Sequence, residues 1–417
     1  MTLIKSWVMS ANSAETPFPL NNLPYGVFST EDCPPRCGVA IGDMVLDVTA
    51  VEELGLLHPV RARFDLASWN DLMAHGPKTW AKFREILTAL LTEGSDKQVQ
   101  LQSLLFPMTG IKMHMPFKVV EFTDFYAGKH HAMNVGTMFR GPENALPPNW
   151  LHIPIGYNGR ASTVVVSGTD IVRPNGQTKA PDAEVPSFGP CKRLDIELEM
   201  GAIIGGANAM GEPVTVQQAD DMIFGYVLLN DWSARDIQAW EYQPLGPFQA
   251  KAFATSISPW IVTKAALEPF RTSTPKREKP LLPHLVEPGP MLYDIDLAVT
   301  MAPKGKAAST IARTNYSQMY YSAAQQLAHH ASSGCAMNVG DLIGTGTISG
   351  PENSECGSLL ELTWSGNEPV TLDTGETRTF IEDGDTLILE GAAIGDGYQI
   401  GFGACTGTIR PAKPFPK

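Results

Sequence analysis

The amino-acid sequence predicts a mainly β protein with some α-helix, divided into a small N-terminal domain (residues 1–117) and a large C-terminal domain (residues 118–417). Short runs rich in β-branched residues, separated by Gly, Pro and Asp-Gly turns, outnumber the helical segments. The 417 residues are 43% hydrophobic and 18% charged, so the chain can bury a core large enough for two domains. Strands and helices do not alternate regularly, which disfavours a TIM barrel or a doubly wound sheet.

The predicted elements follow from local patterns along the chain. Six short apolar runs predict strands: MVLDV (44–48), TVVVSG (163–168), FGYVLLN (224–230), DIDLAVTM (294–301), SLLELTW (358–364) and DTLILEG (385–391). Segments 79–93 and 315–333 predict helices, each followed by a glycine that favours helix termination. The stretch 103–118, after the first helix, is the expected seam between the two domains.

Composition excludes several classes of partner. A formal net charge of -13 argues against nucleic acid or an anionic membrane, because both select basic surfaces. The six cysteines form no pair of CxxC motifs, which predicts reduced thiols and no zinc ribbon. The N-terminus has no sustained apolar core, and no run approaches the roughly 20 apolar residues of a membrane span. We therefore expect a soluble, cytoplasmic protein.

The stretch DIELEMG predicts a strand with acidic side chains along one face. Asp195, Glu197 and Glu199 alternate with apolar residues, and alternate side chains of a strand share a face. An exposed face would leave the acids solvated, as most charged side chains are. A buried face would need a partner to relieve the repulsion between like charges.

LNDWSARDIQAWEYQPLGPFQAKAF carries the densest group of polar side chains. We expect Asp231 to cap a helix on which Asp231, Arg235, Gln238 and Tyr242 form one stripe. Lys251 follows in a loop bounded by Gly and Pro. The alternative interpretation is a capping aspartate and an ion pair on a wet surface.

Two further segments contain candidate acid–base groups. In FTDFYAGKHHAMNVGTMFRG, Asp124 and His131 lie seven residues apart and would share a face of a helix. A histidine can act as a general base near neutral pH, although His130 is an adjacent candidate. Glu361 interrupts the apolar run SLLELTW, so it either faces solvent or has a partner, for instance a histidine that it orients.

Other chemistries lack their motifs in this sequence. The glycine clusters GTGTISG and GDGYQIGFG match neither GxGxxG nor GxxxxGK[ST], and they predict turns and close backbone approaches. Neither HExxH nor GxSxG occurs.

A set of long motifs, in order along the chain, resembles the fumarylacetoacetate hydrolase family. They are DFYAGKHHAMNVGTMFRG, NWLHIPIGYNGRAS, LDIELEMG, NDWSARDIQAWEYQPLGPFQAKAF, GTISG and GDGYQIGFG, and the likeness extends from residue 21 nearly to the C-terminus. The resemblance implies a homodimer with an N-terminal SH3-like β-barrel and a C-terminal β-roll of mixed sheets. It also implies hydrolysis of a carbon–carbon bond of 4-fumarylacetoacetate to fumarate and acetoacetate, the last step of tyrosine and phenylalanine catabolism.

The resemblance also implies a role for particular residues. The implied metal site consists of Asp124, Glu197, Glu199 and Asp231, with Lys251 and Thr255 around the cation. Its oxygen ligands suit a hard cation, Mg²⁺ or Ca²⁺. The implied catalytic groups are the base His131, its orienting Glu361, and the oxyanion donors Arg235, Gln238 and Lys251. The implied substrate contacts are Tyr126, Arg140, Tyr157, Gln238, Tyr242 and Thr347. The family gives Asp195 no role, and we predict a structural one.

Two alternatives to this function are open at the level of sequence. A related acylpyruvate hydrolase, decarboxylase or hydratase would keep the carboxylate site and change the groups around it. A non-catalytic calcium-stabilised binding protein would keep the acids for structure alone.

Overall fold

The N-terminal part of the chain forms one antiparallel sheet in the computed structural model, which describes residues 2–58 and 60–416. Its strands are β1 (Tyr25–Ser29), β2 (Arg36–Ile41), β3 (Met44–Asp47), β4 (Leu105–Pro107) and β5 (Lys112–His114), in the order β4–β3–β2–β1–β5. The helices of this part are α1 (Val48–Glu53), α2 (Asn70–Ala74), α3 (Pro77–Leu91) and α4 (Gln98–Leu101). Helix α3 packs through its apolar stripe, because Phe83, Leu87 and Leu91 are fully buried.

The remainder of the chain is a mixed β structure with short helices. Its strands are β6 (Phe122–Phe125), β7 (Gly156–Asn158), β8 (Val164–Val166), β9 (Ile171–Val172), β10 (Asn175–Thr178), β11 (Ser187–Pro190), β12 (Leu194–Asp195), β13 (Leu198–Ile204), β14 (Ile223–Asp231), β15 (Ser233–Ala234), β16 (Thr255–Ile257), β17 (Val262–Thr263), β18 (Arg271–Thr272), β19 (Leu292–Tyr293), β20 (Asp296–Ala302), β21 (Ser309–Asn315), β22 (Leu342–Gly344), β23 (Val370–Thr371), β24 (Thr377–Arg378), β25 (Thr386–Ile394), β26 (Gln399–Gly401) and β27 (Cys405–Arg410). Its helices are α5 (Lys129–Arg140), α6 (Val216–Met222), α7 (Arg235–Glu241), α8 (Gln249–Ala252), α9 (Lys264–Leu267), α10 (Ala323–Ala331) and α11 (Leu359–Leu362).

Two larger sheets organise this part of the chain. One has the order β7–β6–β22–β13–β14–β16–β8, with β17 also paired to β14, and it contains both parallel and antiparallel pairs. The other has the order β21–β20–β25–β27–β9, with β26 paired to β25. Leu228 of the first sheet and Leu297 and Leu389 of the second belong to one buried cluster, so the two sheets share a core.

The N-terminal sheet is joined to the larger part by backbone and side-chain contacts. Tyr25 and Ile261 exchange two backbone hydrogen bonds, with N–O distances of 2.9 and 2.7 Å. The ring of Tyr25 also packs against Trp69, Phe83 and Phe224. The described helices include none long and apolar enough to cross a membrane.

The mixed β architecture predicted from the sequence is confirmed, and five of the six apolar runs predicted as strands are present. The seventh predicted strand, DIELEMG, is interrupted at Ile196 and Glu197, between β12 and β13. The prediction for SLLELTW was wrong, because residues 359–362 form the short helix α11. Ser358 caps this helix by accepting a hydrogen bond from the backbone N–H of Glu361. The helix predicted at 315–333 is shorter and begins at Ala323, where Ser322 and Gln325 form a capping box.

Candidate active site

Four buried carboxylates lie together where several strands of the largest sheet end. Asp124 belongs to β6, Glu199 to β13 and Asp231 to the end of β14, while Glu197 follows β12. Antiparallel pairing places β13 beside β14, and β22 connects β13 to β6. One oxygen of each carboxylate lies within 4.8 Å of the corresponding oxygens of the other three. Side chains distant in sequence therefore form one oxygen-rich cluster.

Two cationic side chains neutralise only part of this cluster. Lys251 Nζ donates to Glu197 and, at 2.8 Å, to Asp231. Arg235 Nη1 donates to Glu197 at 2.7 Å. Burial alone would raise the pKa of Glu197, but Lys251 and Arg235 outweigh burial and lower this pKa from the ordinary 4.5 to about 2. Glu197 is therefore ionised.

Asp124 and Glu199 have no cationic side chain bound to them among the described residues. Burial, and then the charge of Asp231, raises the pKa of Asp124 well above its usual range. Burial, and then the charge of Asp124, does the same to the pKa of Glu199. Asp124 Oδ1 and Glu199 Oε1 are buried and lack a hydrogen-bond partner within the described chain. A divalent cation fits here, because it would satisfy both oxygens and remove the repulsion.

Two glycines of GTGTISG make room for these carboxylates. A Cβ atom on Gly344 would lie 2.5 Å from Asp124 Oδ1 and 3.0 Å from Glu199 Oε2. Gly346 adopts a φ of +80° and donates its N–H to Glu199 Oε2 at 2.9 Å. The close backbone approaches predicted for this motif are confirmed, and they occur directly against the acidic cluster.

An imidazole–carboxylate pair lies in the same buried region. His131 on α5 and Glu361 on α11 are 2.6 Å apart between Nδ1 and Oε2. Asn134 donates to Glu361 Oε1 at 2.9 Å, and the hydroxyls of Ser349 and Ser358 donate to Oε2 at 3.0 and 2.7 Å. Burial raises the pKa of Glu361, but His131 and these donors outweigh it and leave the pKa below its ordinary value. The carboxylate fixes Nδ1–H of the ring, which leaves Nε2 for proton transfer.

Arg235 binds Asp195 and Gln238 in addition to Glu197 of the acidic cluster. Its Nε donates to Asp195 Oδ2 at 2.8 Å, and its Nη1 also lies 3.3 Å from Gln238 Oε1. Arg235 Nη2 is buried and has no acceptor within the described part of the chain. The arrangement therefore presents an unused N–H donor next to the acids.

Two predictions about local structure in this region were wrong. Asp231 does not cap a helix, because strand β14 continues through it and α7 begins only at Arg235. Asp124 and His131 do not share a helix, because Asp124 lies on β6 and His131 on α5. In each case the acid lies on a strand, and its predicted partner lies on the helix that follows in the chain.

The other predicted site residues lie at different distances from the cluster. The Tyr157 hydroxyl donates to Asp231 Oδ2 at 2.8 Å, and Thr255 Oγ1 donates to Asp231 Oδ1 at 2.7 Å. The Tyr126 ring packs edge-on against His131, with centroids 5.3 Å apart. These three side chains are therefore part of the site's immediate surroundings.

Three predicted substrate contacts are not tied to the acids by hydrogen bonds. Thr347 is buried in the GTGTISG loop. Arg140 is exposed at the end of α5, where it donates to the carbonyls of Asn144 and Ala145. Tyr242 is 44% exposed at the end of α7. The last two are therefore exposed side chains that make no hydrogen bond to the four acids within the described chain.

Sequence reasoning did not identify the side chains that hold Glu361. Asn134 lies one helical turn from His131, a spacing that could have suggested it. Ser358 begins an S-x-x-E pattern, a sequence signal for a helix N-terminus. Ser349 follows no pattern that would have singled it out.

These features define a β-sheet protein whose buried carboxylates can hold a cation beside an imidazole–carboxylate pair. Residues 121–410 match the model "Fumarylacetoacetate (FAA) hydrolase C-terminal" and residues 21–116 match "Fumarylacetoacetase N-terminal". The chain belongs to the fumarylacetoacetate hydrolase family.

Relatives and solved structures agree with this membership. The chain is 48% identical to the fumarylacetoacetase of Arabidopsis thaliana, covering 99% of this chain and 100% of the relative. It is 47% identical to the fumarylacetoacetase of Homo sapiens, with 95% and 97% covered. The solved structure of a fumarylacetoacetate hydrolase from Exiguobacterium antarcticum gives a TM-score of 0.53 at 17% identity, covering 94% of this chain and 100% of that one. This last likeness shows the fold.

Proposed function

We propose that the protein hydrolyses the carbon–carbon bond of 4-fumarylacetoacetate to give fumarate and acetoacetate. Relatives that are 46–48% identical over nearly the full chain, and that carry the name fumarylacetoacetase, support this substrate. The observation that carries the proposal is the His131–Glu361 pair, buried beside a four-carboxylate cluster and an arginine with a free N–H.

His131 serves as the general base in this proposal. Glu361 holds the imidazole through Nδ1, so Nε2 takes a proton from the water that attacks the ketone carbon. Ionised Glu361 also stabilises the imidazolium that forms, because a charge-assisted hydrogen bond is about twice as strong as a neutral one. The electron pair of the broken bond stays with the acetoacetate carbon, which then takes the proton from the imidazolium of His131.

The cationic side chains stabilise negative charge on the attacked oxygen. Arg235 Nη2 is a buried donor without an acceptor in the described chain. Gln238 lies beside the same guanidinium, and Lys251 binds Glu197, the partner of Arg235. Preorganised donors of this kind typically contribute about 3 kcal/mol each. In the same proposal Tyr126, Arg140, Tyr157, Gln238, Tyr242 and Thr347 contact the substrate, with Arg140 suited to a terminal carboxylate.

Asp124, Glu197, Glu199 and Asp231 would hold a divalent cation, Mg²⁺ or Ca²⁺, with Lys251 and Thr255 around it. When bound, such a cation stabilises developing enolate charge as a Lewis acid. The two carboxylate oxygens without partners, on Asp124 and Glu199, support this assignment. An all-oxygen ligand set favours these hard ions over zinc.

The proposal extends to the organisation of the protein. We assign residues 1–117 to an N-terminal SH3-like β-barrel, which the five antiparallel strands support, and residues 118–417 to a catalytic β-roll. We also propose a homodimer in the cytoplasm that binds neither nucleic acid nor membrane, in keeping with the net charge of -13.

A direct assay separates this function from its alternatives. Purified protein with Mg²⁺ or Ca²⁺ should bleach the near-ultraviolet absorbance of fumarylacetoacetate. Consumption of acylpyruvates alone would instead identify a related hydrolase of the superfamily, and no turnover of either would favour a non-catalytic binding protein. His131→Ala should abolish turnover while calorimetry shows cation binding intact, and a near-normal rate in that variant would refute its role as base.

A further inference from the structure

Asp195 is a buried carboxylate that the proposed reaction does not use. It is fully buried at the end of β12, and strand β15 pairs with β12 through Asp195 and Ser233. Asp195 is the last residue of β12, whereas Glu197 lies in the break before β13 begins at Leu198. Asp195 is therefore separate from the four clustered acids. Its carboxylate shares Arg235 with Glu197, and its other partners are backbone N–H groups.

The carboxylate of Asp195 binds two separate parts of the site at once. Oδ2 accepts hydrogen bonds from Arg235 Nε at 2.8 Å and from the backbone N–H of Leu360 at 3.0 Å. Oδ1 accepts from the backbone N–H of Leu359 at 2.8 Å and from that of Ile196 at 2.8 Å. Leu359 and Leu360 form the first turn of α11, the helix that carries Glu361. One buried side chain therefore joins the guanidinium to the segment that orients the imidazole.

Charge neutralisation alone does not explain this arrangement. Arg235 already has an ionic partner in Glu197 at 2.7 Å, and burial makes a second carboxylate unfavourable unless its oxygens are well bonded. Each oxygen of Asp195 accepts two hydrogen bonds, so the group is fully satisfied only in this one geometry. Such a group restricts the relative placement of its donors.

We propose that Asp195 is a positioning residue that sets the distance between the oxyanion-binding Arg235 and the Glu361–His131 pair. This inference rests on the proposed function for its effect on turnover, while its structural part is independent of any substrate. Asp195 has no contact with the reacting atoms. It acts through Arg235 on one side and through the first turn of α11 on the other.

Asp195→Asn is the variant that tests this role. The asparagine side chain has nearly the same volume, but its NH₂ group replaces one acceptor oxygen. This NH₂ group would then face N–H donors that need an acceptor. We expect kcat to fall about 10- to 100-fold, the usual effect of removing an orienting partner, with KM changed by less than about threefold. Because part of its effect passes through Arg235, the double variant with Arg235→Gln should lose less kcat than the product of the two single losses.

A matched control removes a similar buried pair elsewhere. Asp385 is fully buried, binds Arg378 through two hydrogen bonds of 2.8 and 2.9 Å, and accepts the N–H of Glu382. Asp385→Asn should lower stability as much as Asp195→Asn but leave kcat unchanged. A wild-type kcat for Asp195→Asn, or a double variant whose loss is the product of the two single losses, would overturn the proposal.

Two readouts do not depend on turnover. The Nδ1 proton of His131, bound to Glu361, should give a low-field NMR signal that shifts in Asp195→Asn and not in Asp385→Asn. If Asp195→Asn does not fold, Arg235→Lys serves instead, because an ammonium cannot bridge Asp195 and Glu197 as the guanidinium does. In that variant the amides of Leu359 and Leu360 should exchange faster with solvent than in the wild type, and unchanged exchange would refute the coupling. Failure of wild-type turnover with these shifts intact would count against the proposed function alone.

Discussion

Gly344→Ala tests the acidic cluster as a cation site without removing any carboxylate. The added Cβ would lie 2.5 Å from Asp124 Oδ1, which must move by about 0.9 Å to reach an ordinary contact of 3.4 Å. It would also lie 3.0 Å from Glu199 Oε2. Cation–oxygen distances tolerate only about 0.2 Å, so at least one oxygen would leave the coordination sphere. We expect cation affinity to fall about 10- to 100-fold, or about 1.4 to 2.8 kcal/mol.

Calorimetric titration of the folded protein with Mg²⁺ and Ca²⁺ measures this effect. Gly189→Ala is the matched control, since Gly189 also lies on a strand, β11, and a Cβ there meets no atom within 4 Å. Gly189→Ala should bind the cation as the wild type does. Wild-type affinity in a folded Gly344→Ala protein would show that the cluster does not hold the cation through Asp124 and Glu199.

Two further substitutions have effects of calculable size. Glu361→Gln keeps the shape of the carboxylate but loses a charge-assisted bond of about 1.5 to 3 kcal/mol, so kcat should fall about 10- to 100-fold in the absorbance assay. Because the pKa of Glu361 is below 4.5 in the folded state, its stabilisation is present above pH 4.5 and is lost as pH falls through the lowered value. When the pH is lowered from 7 to 4, the free energy of unfolding measured with urea should therefore fall less in Glu361→Gln than in the wild type. Trp69→Ala should lower the free energy of unfolding by about 3 to 5 kcal/mol, because Trp69 is fully buried and donates to the carbonyl of Gly26 at 2.8 Å; a loss below 1 kcal/mol in urea titration would contradict this packing.

The β-rich fold could be predicted because its strands have strong local signals. β14 and β25 are nine-residue, mainly apolar runs, and such runs between turn signals favour a buried strand. SLLELTW misled because a seven-residue apolar run is compatible with a buried strand and with a buried helix. The S-x-x-E pattern at Ser358 and Glu361 was the stronger signal, since it supplies the capping hydrogen bond directly.

The site was predictable only in part from local spacing. The seven-residue spacing predicts Asp124 and His131 on one face of a helix, whereas Asp124 lies on β6 and His131 on α5. Convergence of this kind depends on which strands pair, and a single sequence does not show pairing across 70 or more residues, such as β6 with β22. The resemblance to a family supplied the four acids as a set, but the bond between Asp195 and Arg235 required the structure.

The buried donor on Arg235 argues against a site that serves structure alone. A buried N–H without an acceptor destabilises a protein by about 1 to 3 kcal/mol, and Nη2 has none within the described chain. A protein that used its acids only to hold a stabilising cation would gain nothing from this donor, nor from a histidine fixed by a buried glutamate that itself accepts from Asn134 and two serines. In the proposed reaction both features become favourable, because the developing oxyanion accepts from Arg235 and the imidazole takes a proton. The same arrangement that weakens the folded state therefore favours catalysis, as expected for an active site.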